Sequence, residues 1–392
     1  MPGPLSHIRV LDLSRIMAGP WCTQMLADLG AEVIKVERDG VGDDTRRWGP
    51  PWLKDETGAD TGESGYYLSV NRGKRSVAVD LASPEGQEVV RRIAATADIV
   101  VENFRPGTLE RYGLGYGDLK AVKPDLIFAS ITGFGATGPR RNDSAYDFMI
   151  QAMGGLMSVT GEADGQPGGG PQKVGVPIVD IMTGMYTCIA CLAALANREK
   201  TGQGDQIDIA MLDVSVAMLA NQAMNYLVSG KAPTRKGNRH PNIQPQDVFP
   251  VADGYMVVAV GNDEQFERFA AVLGMPGWAE DPRFRTNAAR VENLSTLHPA
   301  ICERLQAAPL AYWLEQLTAA KVPCGPINTV PMVFDEPQVL ARAMKQELPH
   351  PLAGKVPQVV SPMRFAAAPL VFDRAPPLLG ADTDAILAEL GL

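Results

Sequence analysis

A single carboxylate, Asp180, stands where a glycine-rich segment meets a long apolar run: Val176-Pro177-Ile178-Val179-Asp180-Ile181-Met182-Thr183-Gly184-Met185. A carboxylate so placed can attack an activated acyl group, forming a mixed anhydride and splitting one hard acyl transfer into two easier steps. It must be reachable and ionised, and a helix N-terminus favours the ionised form. Nearby glycine backbone can supply N–H donors for a tetrahedral oxyanion; the glycines at 168–170, or Gly237, suit that part. The plainer use of Asp180 is as an N-cap that accepts the first free N–H groups of the helix, and local sequence alone favours it.

The other candidate groups are cations. Arg15, Arg38, Arg46, Arg47, Arg72, Lys74, Arg75, Arg105, Arg111 and Arg140 fall in or near segments that follow strands. Several cations on one rim suit a polyphosphorylated ligand, although each one singly is as well explained by solvated surface charge. No P-loop, HExxH or GxSxG occurs, and His7, His240, His298 and His350 are scattered. Cys188 and Cys191 form a CxxC inside an apolar helix without a second pair at zinc spacing. No metal site and no histidine triad is expected.

The elements that must position these groups read as α/β. Residues 8–13 are a strand, 21–29 a helix and 31–37 a second strand, a compact βαβ unit that opens a doubly wound parallel fold. Its glycines do not form GxGxxG, so a dinucleotide site is weakly supported. Further strands fall at 76–81, 99–101, 126–131 and 206–211. Helices fall at 83–96, opened by Ser83-Pro84, and at 146–153, with others through the Asp180 run and at 212–227. In such sheets ligands bind beyond the carboxyl ends of the strands, which selects residues 14–19, 38–48, 102–107 and 132–138. Residues 54–63 read as an exposed, mobile loop. Residues 1–200 read as the large domain, 201–229 as a linker, and 230–330 as a smaller α/β domain opened by a hairpin at Ala252-Asp253-Gly254. Residues 331–392 read as a tail, helical and proline-rich, returning to the large domain.

Composition sets the bounds. The chain has 392 residues, 45% hydrophobic and 21% charged, with net charge -9. That is ordinary globular composition for two to three domains, and the negative balance argues against a nucleic-acid surface. No apolar run is expected to reach the ~20 residues of a membrane span, and the first seven residues lack the pattern of a signal peptide. Five cysteines, odd in number and mostly in apolar runs, read as reduced thiols of a cytoplasmic protein.

Several motifs in this order resemble the class III CoA-transferases, which include formyl-CoA transferase and the α-methylacyl-CoA racemases. They are Val10-Leu11-Asp12 with Ala18-Gly19-Pro20, Gly30-Ala31-Glu32-Val33-Ile34-Lys35-Val36-Glu37, Asn71-Arg72-Gly73-Lys74-Arg75-Ser76, Val101-Glu102-Asn103-Phe104-Arg105-Pro106-Gly107, Asp180 with Thr183-Gly184, and Lys200-Thr201-Gly202-Gln203-Gly204. The resemblance implies a Rossmann-like parallel-sheet large domain built from both chain ends, a small domain, and an interlocked homodimer. It implies Asp180 as nucleophile and acyl-CoA with a small carboxylic acid as substrates. The CoA positions fall on the backbone of Ile16, Met17 and Ala18, on Arg38 near the adenosine phosphate, and on Asn103, Phe104, Arg111 and Tyr112; Arg15, Arg72, Lys74, Arg75, Arg105 and Tyr146 join them as candidates. Arg15 replaces a histidine of formyl-CoA transferase, Met17 a glutamine and Ser144 a lysine, which argues against formate–oxalate specificity. Tyr146 stands where the racemases need a histidine before Asp147, which argues against racemisation. Residues 43–51, 237–242 and 323–329 look most like the succinyl-CoA:dicarboxylate branch. A dicarboxylate needs a cation for its distal carboxylate, since an unpaired buried charge is costly; Arg46, Arg47, Arg15 and Arg239 are the candidates. A non-catalytic CoA-binding protein is the remaining alternative.

Overall fold

The computed structural model describes residues 3–392. The chain builds β1 (Arg9–Asp12), α1 (Ala18–Asp28), β2 (Glu32–Arg38), β3 (Trp52–Lys54), β4 (Asp60–Ser64), the single turn α2 (Gly65–Leu68), β5 (Lys74–Val79), α3 (Pro84–Thr96), β6 (Ile99–Glu102), α4 (Tyr116–Val122) and β7 (Ile127–Thr132). It continues through α5 (Asp147–Met153), α6 (Leu156–Val159), α7 (Ile178–Thr201), β8 (Gln206–Ala210) and α8 (Met211–Met218).

Six strands form one sheet in the order β5-β2-β1-β6-β7-β8, and every pairing is parallel. Numbered along the chain within this sheet, that order is 3-2-1-4-5-6, the doubly wound arrangement. Its direction reverses between β1 and β6, so the loops leaving those two strands part and open a crevice. The central strands are apolar on both faces, as a sheet covered on both sides requires. On one face Val10, Val33, Ile99 and Ile127 pack with Cys22 and Leu26 of α1 and with Val179, Cys188 and Cys191 of α7. On the other, Leu11, Ile34, Val100 and Phe128 pack with Val90 and Ile93 of α3, Leu119 of α4 and Ile386 near the C-terminus.

Two compact units result. One comprises residues up to Leu156, Val174–Ala223 and Pro337–Leu392; the other comprises Met157–Lys173 and Met224–Glu336. In the first, the C-terminal helix Thr383–Leu390 closes over the edge strand β5: Asp382 Oδ2 accepts the Ser76 N–H at 2.9 Å and Thr383 Oγ1 accepts the Ala78 N–H at 3.1 Å. Covering an edge in this way removes a template for unwanted strand pairing. The second unit holds an antiparallel sheet, β9 (Gln246–Val251), β10 (Gly254–Ala259) and β11 (Cys324–Pro326), over a core that includes Phe249, Phe266, Phe269, Ile301 and Trp313. The segment carrying glycines 168–170 belongs to this unit.

The structure corrects four sequence expectations. Residues 54–63 are not a free loop: β3 and β4 pair across a turn in which Asp55 Oδ1 accepts the N–H groups of Thr57 and Ala59. Residues 345–359 form a second hairpin, β12 (Lys345–His350) with β13 (Gly354–Val359). Residues 201–229 are not a linker, because β8 completes the central sheet and α8 and the helix Ala220–Ser229 follow it. Finally, α7 is 24 residues long and, by length and composition, apolar enough to cross a membrane. Asp180, Thr183 and Thr187 interrupt that run in the sequence; here its buried face lies against α1 and the sheet.

Candidate active site

The site begins where β1 ends. Asp12, fully buried, accepts from the Ser14 N–H (2.9 Å) and hydroxyl (2.5 Å) through one oxygen, and from Thr23 Oγ1 (2.7 Å) and Lys74 Nζ (3.0 Å) through the other. Burial alone would raise the Asp12 carboxyl, but the charges of Lys74 and Lys35 outweigh it and hold the group at about 2. Lys35 in turn pairs with Asp43 at 3.0 Å and donates to the Ser14 carbonyl oxygen at 2.8 Å. Asp43 also accepts the Ile16 N–H at 3.2 Å. These buried charges fix the turn between β1 and α1, in which Ile16 is held at φ 71°. A non-glycine residue there costs about 1–3 kcal/mol and persists only where its surroundings impose it. From the β6 side, Asn103 clamps the same turn: its Oδ1 accepts the Arg15 N–H at 2.9 Å and its Nδ2 donates to the Arg15 carbonyl oxygen at 2.7 Å.

The glycines of this region follow from close packing. A Cβ on Gly19 would meet Ser14 Cβ and Oγ at 2.2 Å, and one on Gly184 would meet the Ala18 carbonyl oxygen at 2.5 Å. Gly19 therefore lets α1 start directly beyond the turn, and Gly184 lets α7 lie against that start. α1 begins without a side-chain cap, and Pro20 offers no N–H. Among the described residues the Ala18 and Gly19 N–H groups take no acceptor, as the first N–H groups of a helix do, which suits an anionic or carbonyl oxygen.

Asp180 sits in the first turn of α7, not at its cap: the helix starts at Ile178 and Pro177 precedes it. The capping acceptor is Asp147, whose Oδ1 takes the N–H of Val179 at 2.8 Å and of Asp180 at 3.3 Å. Gln151 holds the other Asp147 oxygen at 2.6 Å and, through its own carbonyl, takes the Val174 N–H at 2.9 Å. The Asp180 side chain is thus free for other work. Burial, and secondarily the Asp147 charge, push its carboxyl up to about 7. The helix N-terminus does not by itself keep this carboxylate charged. Tyr66, missed in the sequence, lies in the same field: burial first and then Asp180 and Asp147 push its phenol up to about 12. Its ring meets Trp48 edge-on at 4.9 Å. The paired aromatics of residues 48–67 were the sequence signal that could have found it.

Two open cavities meet at this point. One, of about 230 Å³, is lined by Arg15, Ile16, Met17 and Ala18 from the β1 turn, Asn103, Phe104, Arg105 and Pro106 from the β6 loop, Arg141, Asp143, Ser144 and Tyr146 from the β7 loop, and Asp180. The other, of about 370 Å³, is lined by Arg38, Asp43, Asp80, Leu81, Thr108 and Tyr112, among others. Arg15 and Phe104 form a wall of both, with the Arg15 guanidinium 5.6 Å from the Phe104 ring centroid. Both cavities lie outside the carboxyl ends of the strands, the position at which doubly wound sheets bind ligands.

Residues 5–383 match the model of CoA-transferase family III. The chain belongs to that family. It is 47% identical to a succinate–glutarate CoA-transferase of Agrobacterium fabrum over 99% of this chain and 96% of that one. It is 42% identical to the human succinyl-CoA:glutarate CoA-transferase over 99% and 86%. Among solved structures, a CAIB/BAIF family protein from Brucella suis superposes with a TM-score of 0.87 at 49% identity, covering 100% of both chains. This family III CoA-transferase therefore carries the parallel-sheet fold, and Asp180 lines its crevice.

Several residues expected on the CoA surface of this transferase lie elsewhere. Arg72 is buried, its guanidinium forked onto Asp28 at 3.0 and 2.7 Å and bonded to the Val359 carbonyl oxygen. Lys74 is fully buried against Asp12, Asn71 and the Pro20 carbonyl oxygen. Arg75 ties β5 to Glu32 and Glu389. These three brace the sheet and its edges, and none lines either cavity. Asn103 lines the first cavity, but its amide is spent on the Arg15 backbone. Arg111 is exposed and outside both cavities. Of the cations proposed for a distal carboxylate, Arg46 is buried in a fork on Glu37 at 2.8 Å, stacked 3.7 Å over Tyr67. Arg47 is exposed and outside both cavities. Arg239 pairs with Asp247 at 3.3 Å within the second unit. Arg15 lines the cavity but pairs with Asp44 at 2.8 Å.

Proposed function

We propose that this transferase moves CoA from succinyl-CoA to glutarate or a dicarboxylate of similar length, with Asp180 as the covalent carrier. The Asp180 carboxylate attacks the donor thioester carbonyl, the C–S bond breaks, and CoA thiolate leaves an aspartyl–acyl anhydride. The thiolate attacks the aspartyl carbonyl of that anhydride, releasing the donor carboxylate and leaving an aspartyl-CoA thioester. The acceptor carboxylate attacks the thioester, again expelling thiolate, and the thiolate takes the acceptor acyl group from the new anhydride. Asp180 returns as carboxylate, and no metal enters.

The observation that carries this reading is the placement of Asp180, whose side chain caps nothing, on the same cavity as the β1 turn, where the unpartnered Ala18 and Gly19 N–H groups suit a thioester oxygen. The names of the Agrobacterium and human relatives support the substrate pair. Arg38 and Tyr112 in the second cavity suit the nucleotide end of CoA, with the thioester end in the first. We also read the molecule as an interlocked homodimer: Phe148, Met149, Tyr186, Ile189 and Val216 expose apolar surface on the neighbouring helices α5, α7 and α8, a feature of partner surfaces. Five free cysteines support a cytoplasmic location.

The test is a screen of acyl-CoA donors against mono- and dicarboxylic acceptors. Succinyl-CoA with a five-carbon dicarboxylate should give the highest kcat/KM. Exchange of the α-proton of a 2-methylacyl-CoA into heavy water without any acceptor, and no CoA transfer, would overturn the reading in favour of a racemase.

A further inference from the structure

An acceptor with two carboxylates brings a second negative charge into the crevice, and that charge is costly unless it meets a cation. Three arginines line the cavity that holds Asp180: Arg15, Arg105 and Arg141. Arg15 is engaged with Asp44, and Arg105 donates to the Ser144 hydroxyl at 2.5 Å. The adjacent Arg140 turns to Met153 and the Phe134 ring. Among the described residues, Arg141 alone of the three cavity arginines makes no hydrogen bond, ion pair or ring contact. Its loop, between β7 and α5, runs from the end of the sheet to Tyr146, directly before the Asp147 that caps the Asp180 helix.

We infer that Arg141 is the specificity-determining cation that receives the distal carboxylate of the acyl acceptor and of the dicarboxylyl group carried on Asp180. This rests on the proposed transfer between dicarboxylates. The planar guanidinium presents parallel N–H donors that match a carboxylate in a two-point fork. Its lack of an internal partner leaves that fork free for the substrate. The nearest competing charge on the loop is Asp143, which also lines the cavity and makes no ion pair with Arg141. Asp143 sets the sense of selection by opposing a distal carboxylate that does not reach the guanidinium.

The experiment compares wild type with Arg141→Gln and Arg141→Lys, using butyrate and glutarate as acceptors and a fixed acyl-CoA donor. In R141Q, kcat/KM for glutarate should fall about 10- to 100-fold, the loss expected of a charge-assisted hydrogen-bonded pair. Butyrate turnover and KM for the acyl-CoA should stay within about twofold, and R141K should recover part of the loss. An equal fall for both acceptors, or a raised KM for acyl-CoA, would assign Arg141 to CoA and overturn the inference. A wild-type enzyme that does not prefer dicarboxylates removes the functional reading and this assignment with it; a dicarboxylate preference left intact by R141Q removes the assignment alone.

Discussion

Asp147 caps the helix that carries Asp180, with one carboxylate oxygen on the Asp180 N–H at 3.3 Å, and at the same time its charge opposes ionisation of the Asp180 side chain. One group positions the proposed nucleophile and adds to the rise that burial imposes on its carboxyl. In the proposed mechanism Asp180 must be ionised to attack; with its carboxyl raised to about 7, kcat/KM for acyl-CoA should rise with pH and level off above about pH 7. Asp147→Asn keeps an acceptor oxygen for the cap but removes the charge. Its inflection should move toward acid by about 0.5–1 unit, and an unmoved inflection in the pH–rate profile would show that the Asp147 charge is not felt.

The same raised carboxyl makes a stability prediction. The folded-state value, about 7, lies above the 3.8 of an ordinary aspartate, so the native state binds a proton that the unfolded chain has lost. Stability from this group is present in full below about pH 4 and is lost as pH rises toward 7. Asp180→Asn should therefore match wild type near pH 4 and exceed it at pH 8 by on the order of 1–4 kcal/mol, read from urea midpoints at both pH values. A variant less stable than wild type at pH 8 contradicts the assignment.

The Asn103 clamp should matter for substrate binding through the backbone it holds. Asn103→Ala removes both hydrogen bonds to Arg15, each worth about 1 kcal/mol, next to the strained Ile16. A stability loss of about 1–2 kcal/mol and a roughly 10-fold rise in KM for acyl-CoA are expected. The opposite outcome is a KM that does not move.

Lys74 and Arg38 should behave as opposites. Lys74→Met removes the ion-pair partner of buried Asp12, leaving it the Ser14 and Thr23 hydrogen bonds and the Lys35 charge, and should cost about 3 kcal/mol in urea unfolding. Arg38→Ala, at an exposed position beside the second cavity, should leave the midpoint unchanged and raise KM for CoA thioesters about 10-fold, as loss of a charge-assisted phosphate contact does. Stability effects in the reverse order would refute the division between bracing and binding cations.

The contrast also explains what was legible in the sequence. The six parallel strands were, because a strand buried on both faces is written as a short apolar run with its own turn signals. The crevice was, because topology alone places it beyond β1 and β6. The partners of the cations were not. Arg46, Arg72, Lys74 and Arg75 read as ligand-binding charge, yet each finds a carboxylate from 9 to 314 residues away, and sequence spacing carries no record of such pairs. Asp180 read as the cap because caps are assigned by local position. The actual acceptor, Asp147, lies 33 residues earlier and reaches the helix only once α5 has packed beside α7. The hairpins at 52–64 and 345–359 were missed because their strands are short, polar and outside the main core.

The central claim is that Asp180 carries CoA covalently. Enzyme incubated with succinyl-CoA in the absence of acceptor, then quenched, digested and read by mass spectrometry, should yield the peptide spanning Asp180 with a mass increase of an acyl or CoA adduct on that residue. Asp180→Ala should give neither adduct nor transfer. Full transferase activity in the Asp180→Ala protein, or an adduct on any other residue, would contradict the account.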